Sequence, residues 1–400
     1  MAKAAAAAAA RGPERRRATV IDVAARAEVS SATVSRVLNG NYPVARATRE
    51  RVEDAVRELG YVANAHARAL AGTSSRTVGI IVQDVVDPFF AHIARGVERA
   101  ASEAGRLCMV CCTHGDPRRE LAFVDLLHEQ RADAVVLVGG AHSDRAYARE
   151  VARRARDLHA GGARLVLCGR PSVGRDVPTL SVEYDNEGGA FALTDHLLTQ
   201  GHDRILYLGG PPDLSTTRDR IAGHRRALEL RGVPCAPELV HTGAFSPVFG
   251  HRRLTELLAS GLTFSAVFAA NDMVAIGALQ ALEEAGLRVP QDVSLVGYDD
   301  VPTAQVMRPR LTTVHVPLEE MGRHAVRLAV PGTDAEADAW QQPAGGGLTL
   351  GTHIVVRDSV AARRPGPEGA RGTARPGTTR PQTQTQTQTD TPSPVRHRPM

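Results

Sequence analysis

Several signatures that would mark a secreted, membrane-spanning or catalytic protein are missing from this 400-residue chain. It has no run of about 18 uninterrupted apolar residues, so no membrane-spanning helix is expected. The alanine tract Ala4 to Ala10 leads into Arg-Gly-Pro-Glu-Arg-Arg-Arg instead of a cleavage site, which points to the cytoplasm. There are only five cysteines (Cys108, Cys111, Cys112, Cys168, Cys235), an odd number in a long chain, and this argues against a disulfide framework. The run Cys108-Met-Val-Cys111-Cys112-Thr-His114 lacks the second Cys or His pair that a tetrahedral zinc site needs, and it reads as a buried strand carrying apolar thiols. No GxSxG, HExxH or P-loop occurs, and no GxGxxG follows a strand pattern. Neither a cofactor nor a metal is expected.

An apolar share of 43% over this length is enough for two or three domains with real cores. Charge is distributed unevenly. Residues 1–76 carry 13 Lys/Arg against 7 Asp/Glu, residues 361–400 carry 7 against 2, and residues 77–360 carry 28 against 35. A basic N-terminal unit on an acidic body implies that the former meets a polyanion. Residues 1–17 read as a disordered leader. The Pro-, Gly- and Thr-rich segment 361–400, with its QTQTQTQT repeat, reads as a disordered tail.

Between them, residues 18–62 contain three helical patterns: Thr19 to Ala27, Ser31 to Leu38 and roughly Arg46 to Leu59. Thr19 can cap the first, with Asp22 three residues on to complete a capping box. Val52, Ala55, Val56 and Leu59 form one apolar stripe on the third. The first two can pack Val20, Val23, Ala24 and Ala27 against Val29, Val34, Val37 and Leu38 across a tight turn, which is a helix-turn-helix pattern. The second helix then points Ser31, Ala32, Ser35 and Arg36 outward. Small side chains there let it sit deep in a major groove, where Arg36 can reach guanine. Read in isolation, the same polar face also suits an ordinary solvated hairpin.

From Thr77 onward, apolar runs (VGIIV, LCMVCC, AVVLVG, RLVLCG) alternate with helical patterns, as a parallel sheet wrapped by helices requires. The alternation repeats from about Ser181 with RILYLGG, AVFAAN and VSLVGYD. Two doubly wound lobes follow, with a ligand expected in the cleft at the carboxyl ends of their strands.

The runs DVAARAEVSSATVSRVLNG and TRERVEDAVRELGYVANAHARALAG resemble the N-terminal domain and hinge of the lactose-repressor family of bacterial transcription regulators. The similarity continues through QDVVDPFFAHIARGVERAASEAG, YDNEGGAFALTDHLLTQGHDRILYLGG, RIAGHRRAL, AVFAANDMVAIGALQALEEAGLRVPQDVSLVGYDD and RPRLTTVHVPLEEMG. It implies an all-α helix-turn-helix DNA-binding domain (18–62) and a hinge helix with linker (63–76). An α/β periplasmic-binding-protein-like effector domain follows (77–360), made of two doubly wound parallel-sheet lobes. Its N-lobe would span about 77–180 and 314–346 and its C-lobe about 181–313 and 347–360, with crossovers near Leu180, Thr313 and Leu348. The implied partners are a double-stranded DNA operator, a second copy of the chain in a homodimer or higher oligomer, and a small-molecule effector. No membrane partner is implied, and the implied location is the cytoplasm, at the nucleoid.

By that resemblance Ser31, Ala32 and Arg36 read bases, while Thr19, Ser30, Thr33, Ser35, Asn39, Tyr61 and Asn64 contact phosphate or cap helices. Ala67 and Leu70 belong to the minor-groove hinge, with Leu70 as the wedge between base steps. Glu28 stands where the family commonly has glycine, and Ala45 where it commonly has a capping hydroxyl. In the cleft, Arg220, Asn271 and Asp299 match positions that bind sugar hydroxyls, and Thr216 matches a polar cleft position. Phe89, Phe90 and Phe245 are placed to stack on a ring face. His142 replaces an aspartate found in a galactoside-sensing relative. The implied effector is a sugar, with a purine or nucleoside as the alternative. Two other classes fit parts of the chain: a sugar-binding transport protein, and an enzyme using Asp84, Asp87, Asp299 and Asp300. The N-terminal unit disfavours the first, and the missing catalytic motifs disfavour the second.

Overall fold

A computed structural model describes residues 18–39, 42–61, 76–330 and 347–363. The expected leader, the hinge residues Asn64, Ala67 and Leu70, nearly all of the expected tail, and the side chain of Asn39 lie outside the described residues.

Three helices come first: α1 (Val20–Ala27), α2 (Ser31–Asn39) and α3 (Arg46–Leu59). Their apolar residues recur three and four apart, which gathers them on one face of each helix. Val23, Ala24, Ala27, Val34, Val37, Val52 and Ala55 bury together, with Val20, Val29, Leu38, Val56 and Tyr61 at the margin. The side chains in this core are small, so the unit depends on well-made helix ends.

From Thr77 strands and helices alternate through β1 (Thr77–Val82), α4 (Pro88–Glu103), β2 (Leu107–Cys112), α5 (Pro117–Glu129), β3 (Ala134–Val138), α6 (Arg145–Ala160), β4 (Arg164–Cys168) and β5 (Thr179–Tyr184). A second run follows with α7 (Asn186–Thr199), β6 (Ile205–Leu208), α8 (Ser215–Leu230), β7 (Val240–His241), α9 (Pro247–Ala259), β8 (Ala266–Ala269), α10 (Asp272–Glu284) and β9 (Ser294–Val296). The chain then passes through α11 (Pro302–Val306), β10 (Thr313–His315), α12 (Leu318–Ala329), β11 (Gly347–Leu350) and β12 (His353–Val355).

The N-lobe sheet is parallel, in the order β11-β5-β4-β3-β1-β2. Successive side chains on its inner strands point to opposite faces, and helices cover both. Val78, Ile80, Ala134, Val136 and Val166 join the core under α4 and α12. Ile81, Val135, Leu137, Leu165 and Leu167 join the one under α5 and α6. Helices α4 and α12 pack with their backbones nearly touching, since a Cβ on Gly96 would lie 2.1 Å from the Glu319 carbonyl oxygen and one on Gly322 would lie 2.2 Å from that of Ile93.

The C-lobe sheet is parallel in the order β7-β6-β8-β9, and β10 pairs antiparallel with β12. Two boundaries differ from the sequence reading. Strand β5 lies in the N-lobe sheet, so the first crossing follows Tyr184 instead of Leu180. Strand β11 pairs with β5, so 347–350 belong to the N-lobe and the third crossing follows Leu350 instead of Leu348. A short strand such as TLSVEY or GLTL carries no mark of its lobe, and only its pairing partner decides. The LCMVCC strand is also corrected: β2 pairs with β1 alone at the sheet edge, leaving Leu107 66% and Val110 48% exposed. A continuous apolar run does not separate a central strand from an edge one.

Candidate functional site

At the N-terminal unit, the Thr19 hydroxyl accepts from the Asp22 amide (3.3 Å) and the Asp22 carboxylate accepts from the Thr19 amide (2.7 Å), closing the capping box. Glu28 ends α1 in the left-handed region, at φ 54° and ψ 47°. Ser30 starts α2: its hydroxyl accepts from the Thr33 amide at 3.2 Å and lies 2.9 Å from the Thr33 hydroxyl. Thr19, Ser30 and Thr33 therefore all take part in helix-end hydrogen bonds. Val34 and Val37 pin α2 to the core, which leaves Ser31, Ala32 and Arg36 exposed on the opposite face and Ser35 half-buried at its side. The Arg36 guanidinium lies 5.5 Å from the ring centroid of Tyr42, an exposed aromatic that the sequence reading passed over. Tyr61 is half-buried against the small core, a packing role beside its expected one. Ala45 supplies no side-chain cap to α3.

The second site is a cavity of about 280 Å³ between the lobes. All seven cleft residues singled out in the sequence line it: Phe89, Phe90, Thr216, Arg220, Phe245, Asn271 and Asp299. Most come from the carboxyl ends of strands or from the helix starts that follow them, as the doubly wound topology requires.

Arg220 on α8 is 1% exposed and bonded on nearly every side. It donates from Nε to Asn186 (3.0 Å), from Nη2 to the Tyr184 hydroxyl (3.1 Å) and Asp299 (2.9 Å), and from Nη1 to the Ala270 carbonyl. Its guanidinium also stacks 3.7 Å from the Tyr298 ring centroid. Asp299 has φ 100° and is 4% exposed. Burial pushes its carboxyl up to about 7, against the pull of Arg220. Asn271 caps α10, accepting from the Val274 amide at 2.9 Å, so it serves the helix as well as the cavity wall. Asp272 is buried behind it, accepting from the Thr313 hydroxyl (2.6 Å) and the Val301 amide (2.9 Å), and burial raises its pKa well above the usual carboxylate range.

The N-lobe wall holds a second buried pair that the sequence reading missed. Arg170, 3% exposed, donates to Glu120 at 2.9 and 3.4 Å, to the Tyr147 hydroxyl at 3.1 Å, and to the carbonyls of Gly139 (2.7 Å) and Val138 (3.1 Å). Gln83, Thr113 and Arg170 each stand just after a strand, the position where a doubly wound fold exposes ligand-facing groups. Strand-end position was thus the signal that could have found them.

The lobes also touch at the cavity mouth. Ala141 and Ser215 exchange two hydrogen bonds, amide to hydroxyl at 3.0 Å and amide to carbonyl at 2.9 Å. The Ser143 amide reaches the Asp213 carbonyl at 2.9 Å, and His142 Nδ1 lies 3.0 Å from the Asp213 carboxylate. The departure at His142 therefore falls on a contact that joins the two lobes. Among the described residues no cluster of His, Cys, Asp and Glu could hold a metal ion, and no helix is long and apolar enough to cross a membrane.

Known proteins resemble both parts of the chain. Residues 19–64 match the profile of bacterial regulatory proteins of the lacI family, and residues 194–360 that of periplasmic binding protein-like domains. The HTH-type transcriptional repressor CytR of Escherichia coli (strain K12) is 33% identical over 346 residues, which is 86% of this chain and 97% of that protein. Among solved structures, the lac repressor dimer bound to operator and the anti-inducer ONPF aligns at a TM-score of 0.72 and 27% identity, covering 87% of this chain and all of that one. The transcriptional regulator CelR in complex with cellobiose aligns at 0.61 and 35% identity, covering 86% and 100%.

Proposed function

The chain belongs to the lacI family of bacterial regulatory proteins and is a DNA-binding transcriptional regulator, and on that premise we propose that it represses carbohydrate-utilisation genes from a palindromic operator, as a homodimer controlled by a sugar. The observation that carries the effector reading is the convergence of Phe89, Phe90, Thr216, Arg220, Phe245, Asn271 and Asp299 on one interlobe cavity. A sugar presents hydroxyls needing donors and acceptors together with apolar ring faces, and this wall offers amide, hydroxyl, carboxylate and phenyl groups. The CelR–cellobiose complex supports that class.

On the DNA, the exposed row Ser31, Ala32 and Arg36 reads base edges in the major groove. Ala32 offers only methyl or steric discrimination, so base choice rests chiefly on Arg36. Asn64, Ala67 and Leu70 act in the hinge, with Leu70 entering the minor groove. The operator-bound lac repressor dimer supports a two-fold arrangement. The protein works in the cytoplasm by binding, without turnover. Ligand and DNA each prefer one lobe geometry, so each changes the other's affinity by the same factor.

The test is selection of bound sequences from random duplex DNA by the full chain, repeated with a panel of sugars and nucleosides. A palindromic consensus whose recovery changes with a sugar is expected. No enriched sequence would defeat the base-reading assignment, and a response confined to nucleosides would replace the sugar.

A further inference from the structure

The cavity is lined by five carboxylates (Asp87, Asp116, Glu120, Asp213, Asp299), two guanidiniums (Arg170, Arg220) and His142, whose imidazole is already turned to Asp213. What matters is how much of its positive potential is still unclaimed. Every N–H of Arg170 is used within the N-lobe, two of its bonds going to Glu120. Arg220 keeps a single unclaimed N–H and already faces Asp299.

Helix N-termini are the other common seat for an anion. Those of α4 and α5 both border the cavity, and each is already closed by an aspartate. Asp87 accepts from the Phe89 amide (2.9 Å) and Asp116 from the Arg118 amide (2.8 Å), with proline next in sequence in both cases. The N-terminus of α10 is closed by the Asn271 amide oxygen, and only that of α8 among these four lacks a side-chain acceptor, its cap being Leu214. Even there the Ser215 amide is taken by the Ala141 carbonyl, and Asp213 stands one residue before the cap. What α8 leaves beside the cavity is Thr216, with a hydroxyl suited to a ligand hydroxyl and a backbone amide that no cap side chain takes.

We propose that the effector is an uncharged, hydroxyl-bearing molecule, and that its phosphorylated or carboxylated counterparts are excluded by Asp87, Asp116 and Asp213. This rests on the cavity being the effector site. An anion entering it loses its hydration for one guanidinium N–H of Arg220 and the Thr216 end of α8, which Asp213 adjoins, too few donors to offset the loss, and it meets like charge at both lobes. An uncharged ligand loses far less and uses the carboxylates as acceptors.

Calorimetric titration of the full chain with matched pairs tests this: glucose against glucose 6-phosphate, cellobiose against cellobionate, and adenosine against adenosine 5′-monophosphate. The neutral member is expected to bind at least about tenfold more tightly than its anionic partner. Asp87→Asn and Asp116→Asn keep a capping oxygen, and so should fold and narrow that gap by improving the anionic member. An anionic member binding as tightly as its neutral partner, or more tightly, overturns the proposal. A readout independent of effector identity is thermal stability in inorganic phosphate against chloride at matched ionic strength. No phosphate-specific stabilisation is expected, and one that disappears in Thr216→Ala would overturn the proposal by locating an anion at α8. The outcomes also separate the two readings. Adenosine alone would remove the sugar and keep the charge rule, whereas glucose 6-phosphate preferred over glucose would keep the sugar and remove the rule.

Discussion

Arg36 and Asp299 show what single side chains contribute here. Arg36 is the one long donor on the exposed face of α2 among the described residues, beside Ser31 and Ala32. Arg36→Ala should weaken specific operator binding by about 1–3 kcal/mol and relax discrimination at one base pair per half-site, measured as the ratio of specific to non-specific affinity. An unchanged ratio would return Arg36 to the solvated surface. Asp299 titrates at about 7 in the folded chain against 3.8 for the free group, because burial outweighs its bond to Arg220. A carboxyl whose folded pKa is raised gives stability that is full below the unfolded value and lost as pH climbs to the folded one. The stability of the natural chain relative to Asp299→Asn, an uncharged mimic, should therefore fall between about pH 4 and pH 7 and level off above. Denaturation midpoints measured across that window check it, and a difference that holds constant or rises would contradict the assignment. The candidate role of Asp299 was legible from its motif. Its positive φ and its burial beside Arg220 were not, because residues far apart in sequence create them.

Among the elements, the three N-terminal helices are the most legible from sequence, since their caps and stripes are local. The capping box at Thr19 and the missing cap at Ala45 both stand where the sequence places them. Glu28 holds a left-handed conformation that costs a non-glycine residue about 1 kcal/mol. Glu28→Gly and Ala45→Ser should each stabilise this unit by roughly 0.5–1 kcal/mol, observable as a later loss of its helical signal on heating. A lower melting point for Glu28→Gly would mean that the Glu28 side chain makes a contribution larger than the strain. Strands β2, β5 and β11 are the counterexample. Their residues announce strand, but edge position and lobe membership depend on pairing that no local pattern encodes.

For the whole molecule, the contact between lobes is the feature with the widest reach. His142 and Asp213 meet across the cavity mouth with side chains 23% and 53% exposed, and the Ala141–Ser215 exchange beside them stays if either is changed. A partly solvated pair is worth about 0–1 kcal/mol, so His142→Ala should weaken effector binding by about two- to fivefold without abolishing it. Titration of the variant checks this, and unchanged affinity together with unchanged solution scattering would show that the pair does not hold the lobes.

By itself the sequence determined the helix-turn-helix with its exposed polar face, the two-lobed parallel architecture and the seven residues that converge on the cavity. The first two follow from periodicity and caps, which neighbouring residues encode, whereas the seven cavity residues came from the resemblance of their motifs to the family's. Only the tertiary structure decided which sheet owns β5 and β11 and that β2 lies at an edge. It also paired Arg170 with Glu120, committed Arg220 to Asn186, Tyr184 and Asp299, and brought His142 to Asp213. Those partners are 50, 34, 36, 79 and 71 residues apart in the chain. A charge reveals little in sequence until its partner is known. The balance of paired and unpaired charge, which sets what the cavity can hold, exists only once the chain has closed around it.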